Sequence, residues 1–235
     1  MENIEIAKPK GFWSICRDPI LLTIVGGAID TIGFIALFGF FTAHVTGNLV
    51  LAGAAWVSDG SGIWIKLSAI PLFILTVAIT KYWIDRSTQR HIALSYLFLG
   101  EALFLIGFML AGLYFEPFKD ANSVTVAITG GLGLIALAIR NTSSKTLIKH
   151  ISPSTMMTGN TTQFGIDISN YLRNKTDDNK EKLLRSLSIV SGFVIGAFLG
   201  AFLYVHLDFW SVAFFIIPVL YLSYLAANKR FVEPD

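Results

Sequence analysis

Six apolar runs set the pattern of this chain, at about 20–41, 63–80, 92–114, 124–139, 186–205 and 209–227, with short polar segments between them. Most approach or exceed the ~17–20 residues that a helix needs to cross ~30 Å of hydrocarbon. The pattern therefore predicts six transmembrane helices. Two shorter stretches, 47–58 and 160–172, also read as helical, but at 1.5 Å per residue they reach only about 18–20 Å. Each opens on the same tripeptide, Thr46-Gly47-Asn48 and Thr158-Gly159-Asn160, and each predicts a helix broken at membrane depth.

Charge decides how the short stretches are read. If both crossed the bilayer there would be eight spans, and the basic linker Lys81, Arg86, Arg90 would face the side opposite the N-terminus, against the positive-inside rule. If both dip in and return, all eighteen Lys and Arg except Lys66 and Lys119 fall on the cytoplasmic side. The expected fold is an all-α polytopic membrane protein of six spans plus two half-helices, with both termini cytoplasmic. Segments 1–19 and 228–235 are the cytoplasmic ends. Residues 20–115 and 124–227 repeat the order span, half-helix, span, span, and an odd number of spans per copy makes this a 3+3 inverted repeat. The polar run Arg173 to Lys182 reads as a solvated loop.

Composition narrows the functions. Hydrophobic residues make up 54% of the chain and charged residues 14%, against roughly a quarter charged in soluble domains, and the mean hydropathy is +0.63. Partners are then the lipid bilayer and a small-molecule or ion substrate, and no nucleic acid is expected. The single cysteine, Cys16, excludes an internal disulfide and a multi-cysteine metal site. Neither glycine cluster, Gly130-Gly131-Leu132-Gly133 or Gly192, Gly196, Gly200, follows a strand or precedes Gly-Lys-Ser/Thr, so nucleotide hydrolysis is unsupported. The second cluster, at four-residue spacing, reads as a helix-packing face. No Ser-His-Asp, Cys-His or metal-ligand spacing is found, so no catalytic residue, cofactor or metal is expected.

Candidate site residues lie at the breaks and inside the spans. Gly47 and Gly159 permit unusual backbone conformations, and Thr46 and Thr158 are favourable N-caps for the helices that follow. With Asn48 and Asn160 they form the expected substrate site, where two helix ends offer free amides and positive dipoles to an anion or zwitterion. Asp30, near the middle of the first span, is the first candidate proton relay, because an intramembrane acid is a functional hypothesis by default. Glu101 and Asp167 are the others. His44 reads as a hydrogen-bonding strut beside the first break, and Arg140 as a side chain that snorkels to the headgroups. Arg140 and Asn141 correspond loosely to Asp30 in the second copy.

Gly26-Gly27-Ala28-Ile29-Asp30-Thr31-Ile32-Gly33-Phe34 and Phe41-Thr42-Ala43-His44-Val45-Thr46-Gly47-Asn48 resemble the opening motif of the YoaK-like family of bacterial inner-membrane proteins. The likeness extends through Ala138-Ile139-Arg140-Asn141-Thr142 and Met157-Thr158-Gly159-Asn160. It implies a polytopic protein of the bacterial inner membrane and assigns no substrate. On the residues themselves the leading expectation is a small-solute secondary transporter, coupled to protons through Asp30 or Glu101. A passive channel and a structural or accessory membrane protein are the alternatives, and an enzyme is not expected. Six spans are few for a carrier with both scaffold and moving bundle, which leaves a homodimer open.

Overall fold

The computed structural model describes residues 11–58, 60–148 and 151–230, so the outermost parts of the two expected cytoplasmic ends, 1–10 and 231–235, lie outside the described residues. The order is α1 (Phe12–Ala36), α2 (Val45–Val57), α3 (Ile63–Arg86), α4 (Arg90–Phe115), α5 (Val124–Leu147), α6 (Met157–Arg173), α7 (Asp177–Leu207), a 3-10 turn at Asp208–Ser211, and α8 (Val212–Ala227). Among the described residues, five stretches are long and apolar enough to cross a membrane, α1, α3, α4, α5 and the combined stretch Asp177–Ala227. This is a multi-pass membrane protein. The last stretch holds two helices, because Asp208 takes a positive φ of 48° and turns the chain.

Several boundaries differ from those read in the apolar pattern. The first helix starts at Phe12 and ends at Ala36 rather than running 20–41. The polar run 173–182 is only partly loop: Thr176 accepts the Asn179 amide at 3.3 Å, Asp177 and Asp178 occupy the first turn, and α7 starts there. An N-cap hydroxyl followed by acids at the positive helix end stabilises that start. Ion pairs Asp178–Lys182 and Glu181–Arg185, each one turn apart, continue it.

Helix packing follows from small residues. A Cβ on Gly196 would stand 2.1 Å from the Ile24 carbonyl oxygen, one on Gly192 2.3 Å from Thr23 Oγ1, and one on Gly200 2.7 Å from the Ala28 Cα. Gly27 on the facing helix approaches the Phe193 carbonyl as closely. The three glycines thus form the contact by which α7 lies parallel to α1, a packing face and not an open docking surface. α8 packs on both α1 and α4; Ser95 and Ser223 bond at 3.0 Å near one end of α4, and Phe209 packs over Gly112 near the other, so α8 runs antiparallel to α4.

The neighbours of the helices form a regular set. α1 packs on α7 and α3 on α5; α4 packs on α5 and α8 on α1; α2 packs on α3 and α6 on α7; α4 also meets α8. The two short helices begin within the bundle and leave toward opposite ends. α2 starts beside Asp30, which lies six residues before the end of α1 rather than near its middle, and beside Phe193, midway along α7, and it ends at the turn where the Gly62 amide bonds Asn122 at 3.0 Å. α6 starts beside Asn141 and ends just before α7 begins.

Candidate functional site

The first break is built around Asp30. α1 ends at Ala36, and the chain reverses at Phe38 and Gly39, with φ of 52° and 76°. The left-handed turn therefore sits at Phe38–Gly39, not at Gly47, which lies inside α2. The returning strand of chain comes back to the level of Asp30. There Asp30 Oδ1 accepts the Ala43 amide at 2.6 Å and, at 3.4 Å each, the His44 amide and the Thr42 hydroxyl. Its other oxygen meets His44 Nδ1 at 2.5 Å. Buried backbone amides need partners, and a carboxylate from the preceding helix supplies one to the two residues just ahead of α2, Ala43 and His44.

Asn48 fastens the same loop from the other side. Its Oδ1 accepts the Phe41 amide at 2.9 Å and its Nδ2 donates to the Phe41 carbonyl at 2.8 Å. In the second half Asn160 Nδ2 donates to the Pro153 carbonyl at 3.0 Å, again seven residues back. Thr155, one residue before the N-cap Met156, donates its hydroxyl to Asn141 Oδ1 at 2.6 Å. Ala43 stands one residue before the N-cap His44 and donates its backbone amide, not a side chain, to Asp30. Asn141 thus accepts a bond just ahead of α6, as Asp30 does just ahead of α2, but as a neutral group.

The helix starts correct one expectation. Thr46 and Thr158 cap neither helix: the N-cap positions are His44 and Met156, and neither makes a side-chain cap bond. Ahead of the first short helix, the amides of Phe41, Ala43 and His44 are held by Asn48 and Asp30. Asn48 and Asn160 are buried in these loop contacts, whereas Thr46, Thr158 and Gly159 are exposed.

The other predicted acids have separate settings. Glu101 and Arg140 are both 0% exposed and form an ion pair between α4 and α5, and Arg140 Nη1 also donates to the Leu22 carbonyl of α1 at 2.6 Å. Arg140 therefore does not snorkel; it ties three helices together in the interior. Asp167 is buried on α6 and accepts from Gln163 Nε2 at 2.8 Å.

Two cavities adjoin these groups. One, of about 360 Å³, lies at the first break and is lined by Asp30, Thr31, Phe34, Phe41, His44, Gly47 and Phe193. Its aromatic wall is continuous: Phe34 to Phe41 is 4.7 Å between ring centres, Phe41 to His44 5.7 Å, and His44 to Phe193 5.7 Å. The second, of about 240 Å³, lies between α6 and α7 and includes Asn160, Gln163, Asp167, Lys182 and Arg185. Ile189 lines the second and Phe193 the first, one helical turn apart on α7. Phe41, Phe193 and the α7 cations were not singled out in the sequence. The quartet-spaced Gly192 and Gly196 around Phe193 were the one available signal, since they bring that turn of α7 against Asp30's helix.

Comparison with known proteins agrees with the resemblance. A protein of 30% identity over 188 residues is the UPF0700 transmembrane protein YoaK of Bacillus subtilis (strain 168), and the match covers 77% of this chain and 80% of that protein. No solved structure matches the chain. The family model described as "Protein of unknown function (DUF1275)" matches residues 19–226, from Pro19 in α1 to Ala226 in α8, and the chain belongs to that family.

Proposed function

We propose that this protein is a small-solute secondary transporter of the bacterial inner membrane, built as a six-span 3+3 inverted repeat, with the solute held at the first break and Asp30 as the proton-coupling group. In this reading α2 and α6 are re-entrant, entering from opposite faces, and both termini are cytoplasmic. Support for the repeat comes from the helix neighbours: exchanging α1–α4 for α5–α8 turns the pair α1 and α7 into α5 and α3, α4 and α5 into α8 and α1, and α2 and α3 into α6 and α7. The matching Asn48 and Asn160 braces point the same way.

The observation that carries the functional reading is the double duty of Asp30. It lines the larger cavity and it also holds the loop amides on which the break closes. A carboxylate binds backbone amides about twice as strongly as a neutral acceptor does. Protonating Asp30 weakens that grip and loosens the loop at the wall of the cavity. His44, in contact with the second carboxylate oxygen and partly exposed, is the route by which a proton arrives. Proton binding and cavity shape are thereby linked, as coupled transport requires. Glu101 has no such link, since it faces Arg140 in the closed interior.

Purified protein in liposomes tests this reading. Under an imposed proton gradient, wild-type protein takes up at least one member of a panel of small organic acids, amino acids and organic cations against its gradient, and Asp30→Asn does not. If Asp30→Asn accumulates solute as wild type does, the coupling role is wrong. Downhill flux alone in both proteins favours a passive channel.

A further inference from the structure

We propose that the pocket between α6 and α7 is a binding site for a small zwitterion of the α-amino acid type. The pocket opens near the start of α7, and from Lys182 to Ile189 it follows that helix for about 10 Å at 1.5 Å per residue. Its two walls carry opposite charge. α6 contributes Asp167, 4% exposed, with Gln163 beside it; α7 contributes Lys182 and Arg185.

A buried carboxylate is costly unless it meets donors or a cation. Among the described residues Asp167 meets one hydrogen-bond donor, Gln163 Nε2, and it lies within electrostatic reach of Lys182. An ammonium group in the pocket sets a positive charge directly against the Asp167 carboxylate, and the Gln163 carbonyl is a second acceptor for it. A carboxylate on the same molecule then faces the cation wall. Lys182 and Arg185 are held by Asp178 and Glu181 in pairs on their own helix. The Lys182–Asp178 pair is exposed and screened by solvent, so it yields to a ligand carboxylate, and the half-buried Arg185 guanidinium beside it presents a forked set of N–H groups suited to the same carboxylate. The cavity of about 240 Å³ suits a small molecule of this class. A purely anionic ligand would meet Asp167, and a purely cationic one would meet Lys182 and Arg185, so the arrangement selects both charges together. Binding here requires no coupled movement and stands apart from the transport reading.

Isothermal titration of the full-length protein in nanodiscs, with glycine, L-alanine and L-glutamine, tests the assignment. At least one should bind, and its N-acetylated and its amidated form should each bind about tenfold or more weakly, since each removes one charged contact. Asp167→Asn and Arg185→Gln should weaken it by a similar factor. No binding by any of the three amino acids, equal binding of either blocked form, or undiminished binding by Asp167→Asn would overturn the proposal. If Asp167→Asn does not fold, the blocked compounds on wild-type protein decide alone.

Discussion

Asn48 grips Phe41 with both ends of its side-chain amide, accepting from the Phe41 N–H and donating to the Phe41 carbonyl. Asn160, its counterpart in the second half, can use only one end, because residue 153 is a proline and has no N–H to offer. The two breaks are braced alike but not equally.

This asymmetry predicts unequal costs. Asn48→Ala leaves two backbone groups without partners at membrane depth and should destabilise by about 2–4 kcal/mol, whereas Asn160→Ala leaves one and should cost about half as much. Thermal or denaturant unfolding of the two variants in the same detergent checks the order. Equal losses would mean that the Asn48 side chain does not hold the loop as described.

The Glu101–Arg140 pair predicts strong non-additivity. Removing either partner, as in Glu101→Leu or Arg140→Met, leaves a buried charge uncompensated and should cost about 3–5 kcal/mol. Removing both should cost much less than the sum, with the Leu22 carbonyl, still bonded within α1, losing only its second donor. A double-mutant cycle on unfolding free energy measures this. Additive losses would contradict a direct pair.

At Asp30, stability and coupling should separate. Asp30→Leu removes the acceptor for the Ala43 amide and should lose about 1–3 kcal/mol of stability. Asp30→Asn keeps an acceptor, as Asn141 does in the second half, and should stay closer to wild type while losing proton coupling. Unfolding curves alongside flux assays distinguish the two variants; equal instability of both would show that charge, not the acceptor, holds the break.

Gly196→Leu should prevent α1 and α7 from closing, because even a Cβ there would overlap the Ile24 carbonyl. Gly165→Ala, on α6 where nothing lies within 4 Å, should be tolerated. Comparing yield and melting temperature of the two variants tests whether the four-residue glycine spacing is a packing face.

Much of this architecture was legible in the chain. The apolar runs placed the long helices, since helix length and bilayer thickness constrain each other, and the spacing of Gly192, Gly196 and Gly200 revealed its own role. The repeated tripeptides mark the starts of both short helices. Their chemistry is not legible: Thr46 is a cap by residue type, yet the helix starts one residue earlier, and the group that holds the chain just ahead of it, at Ala43 and His44, is Asp30 from another helix. Nothing local in the sequence marks a contact across that loop. Likewise Glu101 and Arg140 lie on different helices, and only the packing of α4 on α5 brings them together. Arg140 alone looked like a snorkelling arginine for that reason.

The central claim is that α2 and α6 each enter the membrane and return toward the face they came from. Cysteine labelling with a membrane-impermeant reagent, in a Cys16→Ala background, tests it most directly at Phe38→Cys and Ser58→Cys, the positions that flank the first short helix and its approach. Labelling of both from the outer face, with Asn174→Cys after α6 labelled only from the cytoplasmic face, is the predicted result. Labelling of Phe38→Cys and Ser58→Cys from opposite faces would make α2 a full crossing and contradict the account.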